Sequence, residues 1–562
     1  MINTFFHKVK QFLDSRYFFL LILFVFVSCY GITNFGRDAG SLSSDVWGYQ
    51  FLELQERYNY WDEVPPSYNQ SELYVAFPLL YALNPGLEKG MMSYHILAIF
   101  LIVATYLISG LVTYRLFKSW FLATLGGLLP LIPRFIFPTR IGLLDLGAVR
   151  GNVFAAPFYF LLSYYWIIYG ISDRRKNIGL AIVAGVLMYL YPPAGLITVG
   201  TFILAALFIH RKKYIRQIVV FVLVYSIVTL PFWINHFVNP NTGMLDESAE
   251  VSSVDLQLQS EIVQYKFRGS GFLSSIDIAE FKRSAWDESL LLLLFVISLW
   301  ATWKYRDRFS SEQKQVTRVS LWFTVITCAF IVAVEIVNML VMRNGYPPVF
   351  VDHLRPMRTF GFVLIMQTLL VFHFWKGTVR GKIVIGIATL ILIFAPIRFA
   401  APAIRPVVRA LVPDVIRQKY NLAPVVAAHS EPVFASVDEM ARWSREHVPH
   451  DGTKVFVFDD MQREFQFKIM SRLNTTLTGK EGNLWVTSGF DNSKRWYEER
   501  SIYASTTQHA VNFGEIVSLA KKLQATHILV PRGKWLELYE AWTRKLPEVH
   551  ANADYRLLKI TP

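Results

Sequence analysis

Carboxylates follow the first strongly apolar segment of the chain, and they could act as a base. Asp38 and Asp45 come shortly after residues 17–34, and Asp45 begins a stretch, 44–58, whose pattern predicts a helix. A carboxylate beside an apolar cavity is partly desolvated, which raises its pKa and suits it to accepting a proton. The alternative is that both acids only solvate a loop. We expect Asp45 or Asp38 to be a catalytic base.

A cluster of cations precedes another apolar run at residues 358–375. His353, Arg355 and Arg358 lie close together there. Guanidinium groups bind phosphate oxygens through paired hydrogen bonds, and the positive end of a helix adds to the attraction. These three residues therefore predict a phosphate-binding site, against the alternative of ordinary charges at a helix end.

A second group of charges interrupts apolar sequence between residues 134 and 151. Arg140 and Arg150 could hold phosphate, and Asp145 could pair with one of them or help to bind a cation. Irregular backbone at membrane depth is tolerated only where protein buries it or where it lines a cavity. The alternative is that the arginines reach from helix ends to the membrane surface.

One acidic residue, Glu335, lies inside the apolar run 319–341, with Asn338 one helical turn later. An ionisable group at that depth is costly, so it should face the interior of a helix bundle and have a partner. Glu335 could shape a cavity, bind a cation or stay neutral and hydrogen-bonded. A divalent cation such as Mg²⁺ or Mn²⁺ is one cofactor that such residues could hold, and the sequence leaves the cofactor unknown.

The composition predicts a polytopic membrane protein and excludes two other classes. Of the 562 residues, 53% are apolar and 17% are charged, against about 25% charged in an ordinary soluble protein. The two cysteines, Cys29 and Cys328, both lie in apolar runs, which excludes a disulfide-rich scaffold. The net charge of +14 indicates basic cytoplasmic loops rather than a nucleic-acid partner.

About eleven apolar segments are long enough to be read as membrane-spanning helices. They cover residues 17–34, 93–114, 120–137, 152–171, 178–191, 194–209, 218–236, 289–303, 319–341, 358–375 and 383–400. Lysine and arginine collect before the first segment and in the even-numbered connections. This places the N-terminus inside, and it places the large first loop, 35–92, and the C-terminus outside.

The region 178–209 allows two interpretations, because it is longer than one membrane-spanning helix needs and shorter than two helices need. Tyr191-Pro192-Pro193 lies in its middle, and proline disfavours helix there. Both flanks are basic, so a hairpin that returns to the cytoplasm fits. A single span would reverse the side of every later segment.

The end of the chain predicts a small α/β domain outside the membrane. We expect a membrane region over 1–400, an interfacial linker over 401–431 and a soluble domain over 432–562. Predicted helices at 436–447, 514–523 and 535–546 alternate with predicted strands at 454–459, 526–530 and 555–560. Ser436 is the expected cap of the first helix, with Glu439 three residues later. Asp459 and Asp460 predict a turn at a strand end rather than a metal site.

This layout resembles the GT-C class of integral-membrane glycosyltransferases, including its uncharacterised bacterial members. Asp45-Val-Trp-Gly-Tyr49 is similar to the class's first-loop carboxylate followed by an aromatic residue. Ala148-Val-Arg-Gly-Asn-Val-Phe-Ala-Ala-Pro157 and Arg355-Pro-Met-Arg358 also resemble segments of the class. Neither Asp38 nor Asp45 has an acidic neighbour, and the second outer loop has no Asp-x-Asp. These departures leave metal dependence and the choice of base open.

The resemblance implies transfer of a sugar from a polyprenyl-phosphate carrier to a glycan, lipid or protein acceptor, with inversion. It assigns the base to Asp45 or Asp38. Cations at the donor phosphate would be Arg355, Arg358, His353, Arg140 and Arg150. Few cysteines and a compact outer domain favour a multi-pass protein of a bacterial inner membrane, with a periplasmic C-terminal domain.

Three other functions use the same features. A transporter or flippase for lipid-linked glycans would use the cavity and the arginines without a base, although the sequence has no convincing internal repeat. A polysaccharide polymerase or ligase would also use a polyprenyl-linked donor, and a non-catalytic scaffold would use the outer domain to recruit partners. Asn69-Gln-Ser71 and Asn474-Thr-Thr476 are glycosylation sequons, which are short enough to occur by chance.

Overall fold

The computed structural model describes two helical groups and a mixed sheet domain. The described residues are 8–9, 11–34, 54–55, 58, 60–62, 92–131, 173–190, 195, 199–200, 203–208, 214–238, 258, 261–262, 265, 300, 303–343, 373, 434–459, 461–478, 481, 490–509, 513–532 and 546–560.

The first part of the described chain is helical. Its helices are α1 (Arg16–Asn34), α2 (Met92–Phe117), α3 (Trp120–Leu128), α4 (Arg174–Leu190), α5 (Ile215–Val238) and α6 (Ser311–Arg343), and a 3₁₀ turn, Leu129–Leu131, follows α3. Two of them contain stretches long and apolar enough to cross a membrane, Ile96–Phe117 and Ile215–Ile234. The predicted segments 17–34, 93–114 and 218–236 match α1, α2 and α5 closely, whereas 152–171 and 383–400 lie outside the described residues.

The first helical group, α1 to α3, packs through small residues and aromatic rings. The Tyr106 hydroxyl donates to the Phe19 carbonyl over 2.9 Å, and the two ring centroids are 4.7 Å apart. A Cβ atom at Gly126 would lie 2.1 Å from Oγ1 of Thr113. A side chain at position 126 would therefore displace Thr113 or push α3 away from α2, so glycine allows this close approach.

The second helical group pairs α4 with α5 in parallel. Asn177 donates to the Gln217 carbonyl over 2.7 Å, and the Tyr189 hydroxyl donates to the Val228 carbonyl over 2.9 Å. From the first contact to the second, the residue numbers rise in both helices. Helices α4 and α5 are therefore parallel, and their first residues lie at the same end. The Tyr225 hydroxyl also reaches the Gly195 carbonyl over 3.3 Å, so residue 195 lies beside α5 as well.

Several segments meet at one end of the helices. Asp14, just before α1, accepts hydrogen bonds from the Ser119 hydroxyl and the Phe121 amide, each 2.9 Å long. The Gln313 side chain at the start of α6 donates to the Leu116 carbonyl over 3.2 Å. The rings of Phe117 and His373 are 5.1 Å apart, which brings a residue of the predicted tenth span to the same end.

The carboxy-terminal region is an α/β domain, as the alternation of its elements predicts. It contains α7 (Phe434–His447), β1 (Lys454–Val457), α8 (Met461–Ser471), β2 (Asn474–Thr475), α9 (Phe490–His509), α10 (Phe513–Lys522), β3 (His527–Pro531), β4 (Glu548–Ala551) and β5 (Tyr555–Lys559). The sheet order is β2-β1-β3-β5-β4. Strands β2, β1 and β3 are parallel, and β5 and β4 add in antiparallel fashion.

Some predicted elements of this domain need correction. Helix α7 begins at Phe434, so Ser436 lies inside it and is not its cap. Its hydroxyl instead donates to the carboxylate of Asp554, because that carboxylate lies beside the first turn of the helix. Helices α8 and α9 and strands β2 and β4 were not predicted. The predicted helix 535–546 falls almost wholly outside the described residues.

The sheet has an apolar layer on each face. Alternate residues of a strand point to opposite faces. Val455 and Leu529 accordingly join one apolar cluster, together with residues of α7 and α8. Phe456 and Ile528 join the other, together with residues of α10. This two-sided burial explains why the central strands β1 and β3 are mostly apolar.

Candidate functional site where the first loop meets the domain

The residues that the sequence proposes for chemistry fall largely outside the described structure. Those outside it are Asp38, Asp45, Arg140, Asp145, Arg150, His353, Arg355 and Arg358. Glu335 lies within α6, in agreement with its predicted helical position. In the first loop, Leu54, Gln55 and Tyr58 are helical, within the helix predicted over 44–58. The proposed chemical roles of these residues therefore stay predictions.

A tryptophan of the first loop is buried against the α/β domain. Only 1% of Trp61 is exposed, and its indole N–H donates to the Leu473 carbonyl over 3.1 Å. The ammonium of Lys468 lies 5.9 Å from the centroid of the Trp61 ring, within the range of a cation–π contact. The first loop therefore covers a charged group of the domain with an aromatic face.

Lys468 is itself part of a buried ion pair. Its ammonium lies 2.7 Å from a carboxylate oxygen of Glu481, and both side chains are almost wholly buried. The other Glu481 oxygen accepts hydrogen bonds from the amide and hydroxyl of Thr478. A buried pair with its remaining oxygen satisfied can persist, whereas either charge alone would be costly.

The next residue of the loop, Asp62, makes a two-bond contact with the edge of the sheet. The Asn474 side chain donates to the Asp62 carboxylate over 2.6 Å, and the Asp62 amide donates to the Asn474 side-chain carbonyl over 3.2 Å. Asn474 is the first residue of β2. Its amide is thus engaged by Asp62, and Thr476 of the same sequon is buried. This arrangement argues against glycosylation of the folded domain at Asn474.

Arg472 completes the contact and has an unusual backbone conformation. Its guanidinium donates to the Tyr60 hydroxyl over 2.9 Å, and its central carbon lies 4.8 Å from the Tyr60 ring centroid. Its φ is +59°, a left-handed value that is uncommon for residues other than glycine. Glycine would end α8 here with less strain. The strained arginine is consistent with a role for its side chain in holding Tyr60.

We call this set of contacts the clasp. Its members are Tyr60, Trp61 and Asp62 of the first loop and Arg472, Leu473 and Asn474 of the domain. Gln55 connects the clasp to the first-loop helix. Its side-chain amide donates to the Trp61 carbonyl and accepts from the Trp61 amide, both over 3.0 Å. The backbone of Trp61 is therefore fixed to a helical residue that precedes it.

A second loop reaches the same domain at another position. The Tyr265 hydroxyl, in the loop predicted after the seventh span, donates to the Arg500 carbonyl over 3.4 Å. Its ring lies 6.0 Å from that of Trp496 and 5.2 Å from that of Tyr497. Burial raises the pKa of the Tyr265 hydroxyl, so it stays protonated and able to donate.

The interior beside α9 holds a second pair of charges. Arg500 lies 3.0 Å from Glu464, and both side chains are largely buried. Burial acts to lower the pKa of Arg500, but Glu464, Tyr503 and Tyr265 together raise it by more, so the net change is upward. Burial and Glu464 raise the pKa of Tyr503. The arginine therefore stays charged and the tyrosine neutral, which suits a structural role.

Asp459 also has a structural role, as its position at a strand end predicts. Its carboxylate lies 3.0 Å from the Arg463 guanidinium and accepts from the Tyr555 hydroxyl over 2.5 Å. Asp460 is outside the described residues. Within the described parts of the chain, no group of three or more His, Cys, Asp and Glu side chains is placed to hold a metal ion.

Sequence reasoning did not find the clasp. From sequence, Asn474 is only part of a sequon, and nothing indicates a partner for Asp62. The two residues are 412 positions apart, so no periodic pattern links them. The only local signal is Trp61, a large apolar residue in a polar stretch, which needs a partner surface if it is to be buried.

The solved structures that are similar to this chain include the following two. They are crystal structures of ArnT from Cupriavidus metallidurans, one bound to undecaprenyl phosphate and one in the apo state. The first is 11% identical, covers 97% of both chains and has a TM-score of 0.34. The second is 11% identical, covers 96% of this chain and 97% of the other, and has a TM-score of 0.38. No protein-family model and no curated protein matches the chain.

Proposed function

We propose that this chain is a membrane glycosyltransferase that moves a sugar from a polyprenyl-phosphate carrier to an acceptor outside the cytoplasm, with inversion. The single observation that carries the proposal is the clasp. It joins the loop whose sequence holds Asp38 and Asp45 to the α/β domain, which supports one outward-facing region that contains both. The acceptor is a glycan, a lipid or a protein.

Exposed apolar side chains support a membrane location for the helices. Phe24 of α1, Phe100 of α2 and Ile227 of α5 are 69%, 66% and 68% exposed. Large apolar side chains exposed to this extent on several helices are unfavourable in water and suit contact with lipid. Buried hydroxyls support the same conclusion. Those of Thr105 and Thr229 donate to the carbonyl four residues earlier in their own helix, which satisfies them without water.

The contacts sort the connecting segments into two groups, which supports the proposed orientation. Residues around Asp14, Leu116 and Gln313, all in segments predicted to be cytoplasmic, contact one another. Residues around Trp61 and Tyr265, both in segments predicted to be outside, contact the α/β domain.

The same grouping favours the hairpin over a single span at 178–209. A single span would put Tyr265 on the cytoplasmic side together with the carboxy-terminal domain, while Trp61 stayed outside. Trp61 and Tyr265 both contact that domain, which supports two spans rather than one. The Asn177 contact with Gln217 also brings the start of α5 back to the level at which α4 begins.

The proposed chemistry needs few groups. The carboxylate of Asp45 or Asp38 accepts the proton of the acceptor hydroxyl or amine as its oxygen or nitrogen bonds to the sugar's anomeric carbon. The bond from that carbon to the phosphate oxygen breaks, and polyprenyl phosphate leaves with the electron pair. Arg355, Arg358, His353, Arg140 and Arg150 are the proposed cations that stabilise this leaving group, which lessens the need for an acid.

Transfer by the purified full chain tests the proposal. The chain, in lipid nanodiscs, receives undecaprenyl phosphate linked to each of a panel of radiolabelled sugars, together with a mixture of glycan, lipid and protein acceptors. Transfer of the labelled sugar to acceptor and release of undecaprenyl phosphate are both measured. We expect release with one of the sugars. We expect Asp45→Asn or Asp38→Asn to lower the rate by about 10²- to 10⁴-fold, because the proton then has no acceptor. The matched control is Asp451→Asn, an exposed turn residue of the α/β domain.

Two results would contradict the proposal. A folded wild-type chain that releases no lipid phosphate from any donor would favour the scaffold. Movement of intact donor across the bilayer without bond cleavage would indicate a transporter or flippase. Transfer that survives both aspartate substitutions would refute the assigned base and leave the reaction class in place.

A further inference from the structure

A basic segment lies just before α6 and takes no part in the proposed reaction. Its described residues are Trp300 and 303–308, and we call it the basic turn. It has three cations, Lys304, Arg306 and Arg308, and one acid, Asp307. Residues 306–308 form a 3₁₀ turn, and the Phe309 side chain that follows is buried. The burial of Phe309 anchors the turn, so its cations have a defined position.

Aromatic rings hold two of these cations at the surface of the protein. The Lys304 ammonium lies 4.8 Å from the ring centroid of Trp300 and 6.0 Å from that of Tyr305. The guanidinium carbon of Arg308 lies 5.6 Å from the same Tyr305 centroid. Trp300 is 47% exposed and Trp303 is 69% exposed. Exposed indoles beside basic side chains are the combination that is typical of a membrane–water interface.

The contacts at the start of α6 place the basic turn at the end of an apolar stretch. The Ser310 amide donates to the Gln313 side-chain oxygen over 3.1 Å, and the Gln313 amide donates to the Ser310 hydroxyl over 3.2 Å. This reciprocal cap fixes the first turn of the helix. The Gln313 side chain also donates to the carbonyl of Leu116, near the end of the stretch Ile96–Phe117. The basic turn therefore lies where the apolar stretch of α2 ends.

Similar pairs of a cation and an aromatic ring occur in two neighbouring segments at this end. The guanidinium carbon of Arg16 lies 5.0 Å from the Tyr17 ring centroid, and the ammonium of Lys118 lies 6.0 Å from that of Tyr114. The hydrogen bond from Ser119 to Asp14 joins these two segments. One environment therefore fits all three segments.

We propose that the basic turn binds the headgroup phosphates of anionic phospholipids in the adjacent leaflet, through Lys304 and Arg308. The basic loops predict that this leaflet is the cytoplasmic one. Charge complementarity favours an anionic headgroup over a zwitterionic one, because the ammonium of phosphatidylcholine offsets the charge of its phosphate. Each basic residue near an anionic surface contributes about fivefold in affinity. Such binding needs no step of the proposed sugar transfer.

A crosslinker within the basic turn tests this binding. In the full chain, Trp303 is replaced by the photoreactive amino acid benzoylphenylalanine, in nanodiscs of equal parts phosphatidylglycerol and phosphatidylcholine at low salt. Mass spectrometry gives the ratio of the two lipids crosslinked there. We expect phosphatidylglycerol to dominate, and Lys304→Gln with Arg308→Gln to lower the ratio by about 25-fold. Lys304→Arg with Arg308→Lys keeps both charges and should keep the ratio.

Two matched controls accompany these variants. The same crosslinker at Phe24 of α1, which is also 69% exposed, should capture the two lipids about equally, because it lies in an apolar part of the helix. Arg174→Gln with Arg175→Gln removes the same charge from an exposed segment at the start of α4. That variant should leave the ratio at position 303 unchanged.

Four results would overturn the proposal. They are equal capture of the two lipids at position 303, a ratio that the Lys304 and Arg308 variant does not change, an equal loss in the Arg174 and Arg175 variant, and capture of a second copy of the chain in place of lipid. Loss of the preference when inorganic phosphate replaces chloride at constant ionic strength would indicate a site for small anions and would also overturn it. The sugar-transfer assay of the wild type is independent of all these results.

Discussion

Among the described residues, the helical region buries only uncharged polar side chains, whereas the α/β domain also buries charged ones. In the described helices, buried polar residues include Thr105, Ser109 and Thr113, whose hydroxyls donate to carbonyls of their own helix. In the domain, buried polar residues include Lys468 and Glu481, which pair across separate elements. The exposed surfaces also differ. Among the described residues, the large apolar side chains that are exposed all lie between Val9 and Leu340, and none lies in the α/β domain.

This difference indicates that the two regions face different solvents. A helix surrounded by lipid must satisfy its polar groups internally and can present apolar side chains outward. A domain in water buries apolar faces and can retain charges inside only when they are paired. One chain therefore follows two sets of packing rules, and the clasp lies where the two meet.

The largest expected effect is the loss of one partner of the buried ion pair. Lys468→Met leaves the Glu481 carboxylate buried without its cation, so we expect the domain to lose about 3–5 kcal/mol of stability. Pulse proteolysis of the full chain in urea, followed at the C-terminus, measures this loss. Glu548→Gln is the control, because the Glu548–Arg556 pair is partly exposed and should contribute less than about 1 kcal/mol.

A double variant tests whether the two charges account for this loss of stability. Lys468→Met combined with Glu481→Gln removes both charges, so much of the lost stability should return. A double variant as unstable as the single one would mean that the charges do not account for the effect.

A charge on the outward face of a helix tests the membrane side of the comparison. Ile227→Arg places a cation in the middle of α5, where the native side chain is 68% exposed. In a bilayer this should cost about 2.5–3.5 kcal/mol, and in water it should cost almost nothing. The yield of folded chain that resists carbonate extraction from membranes is the measurement.

Two matched controls accompany Ile227→Arg. Ile227→Leu keeps the residue apolar, and Glu498→Arg introduces the same cation on the exposed surface of α9. Both should leave the yield unchanged. A normal yield for Ile227→Arg would contradict a lipid-facing α5.

A pair of identical substitutions gives the smallest expected effect. Gly126→Ala forces a methyl group against Thr113, so we expect a loss of about 1–3 kcal/mol. Gly179→Ala meets nothing within 4 Å and should stabilise α4 by about 0.5–1 kcal/mol. Thermal unfolding of the full chain in nanodiscs compares them. Equal shifts would mean that close approach between α2 and α3 does not limit stability.

Several elements could be predicted from local sequence because their causes are local. Helices α1, α2 and α5 follow from long apolar runs, and strands β1, β3 and β5 follow from short apolar runs beside helical segments. Helix α8 was missed because its buried face includes Gln466 and Lys468, whose partners are distant. The start of α7 was misplaced because Ser436 suggested a cap, whereas its hydroxyl contacts Asp554.

The sequence by itself determined which segments are apolar enough to leave water and that an α/β domain follows them. These properties depend on composition and on spacing within one element. Tertiary structure alone decided that Trp61 covers Lys468, that Asp62 meets Asn474 and that Tyr265 reaches the same domain. Each of these contacts joins residues far apart in the chain, and the neighbours of a residue in sequence do not specify such partners.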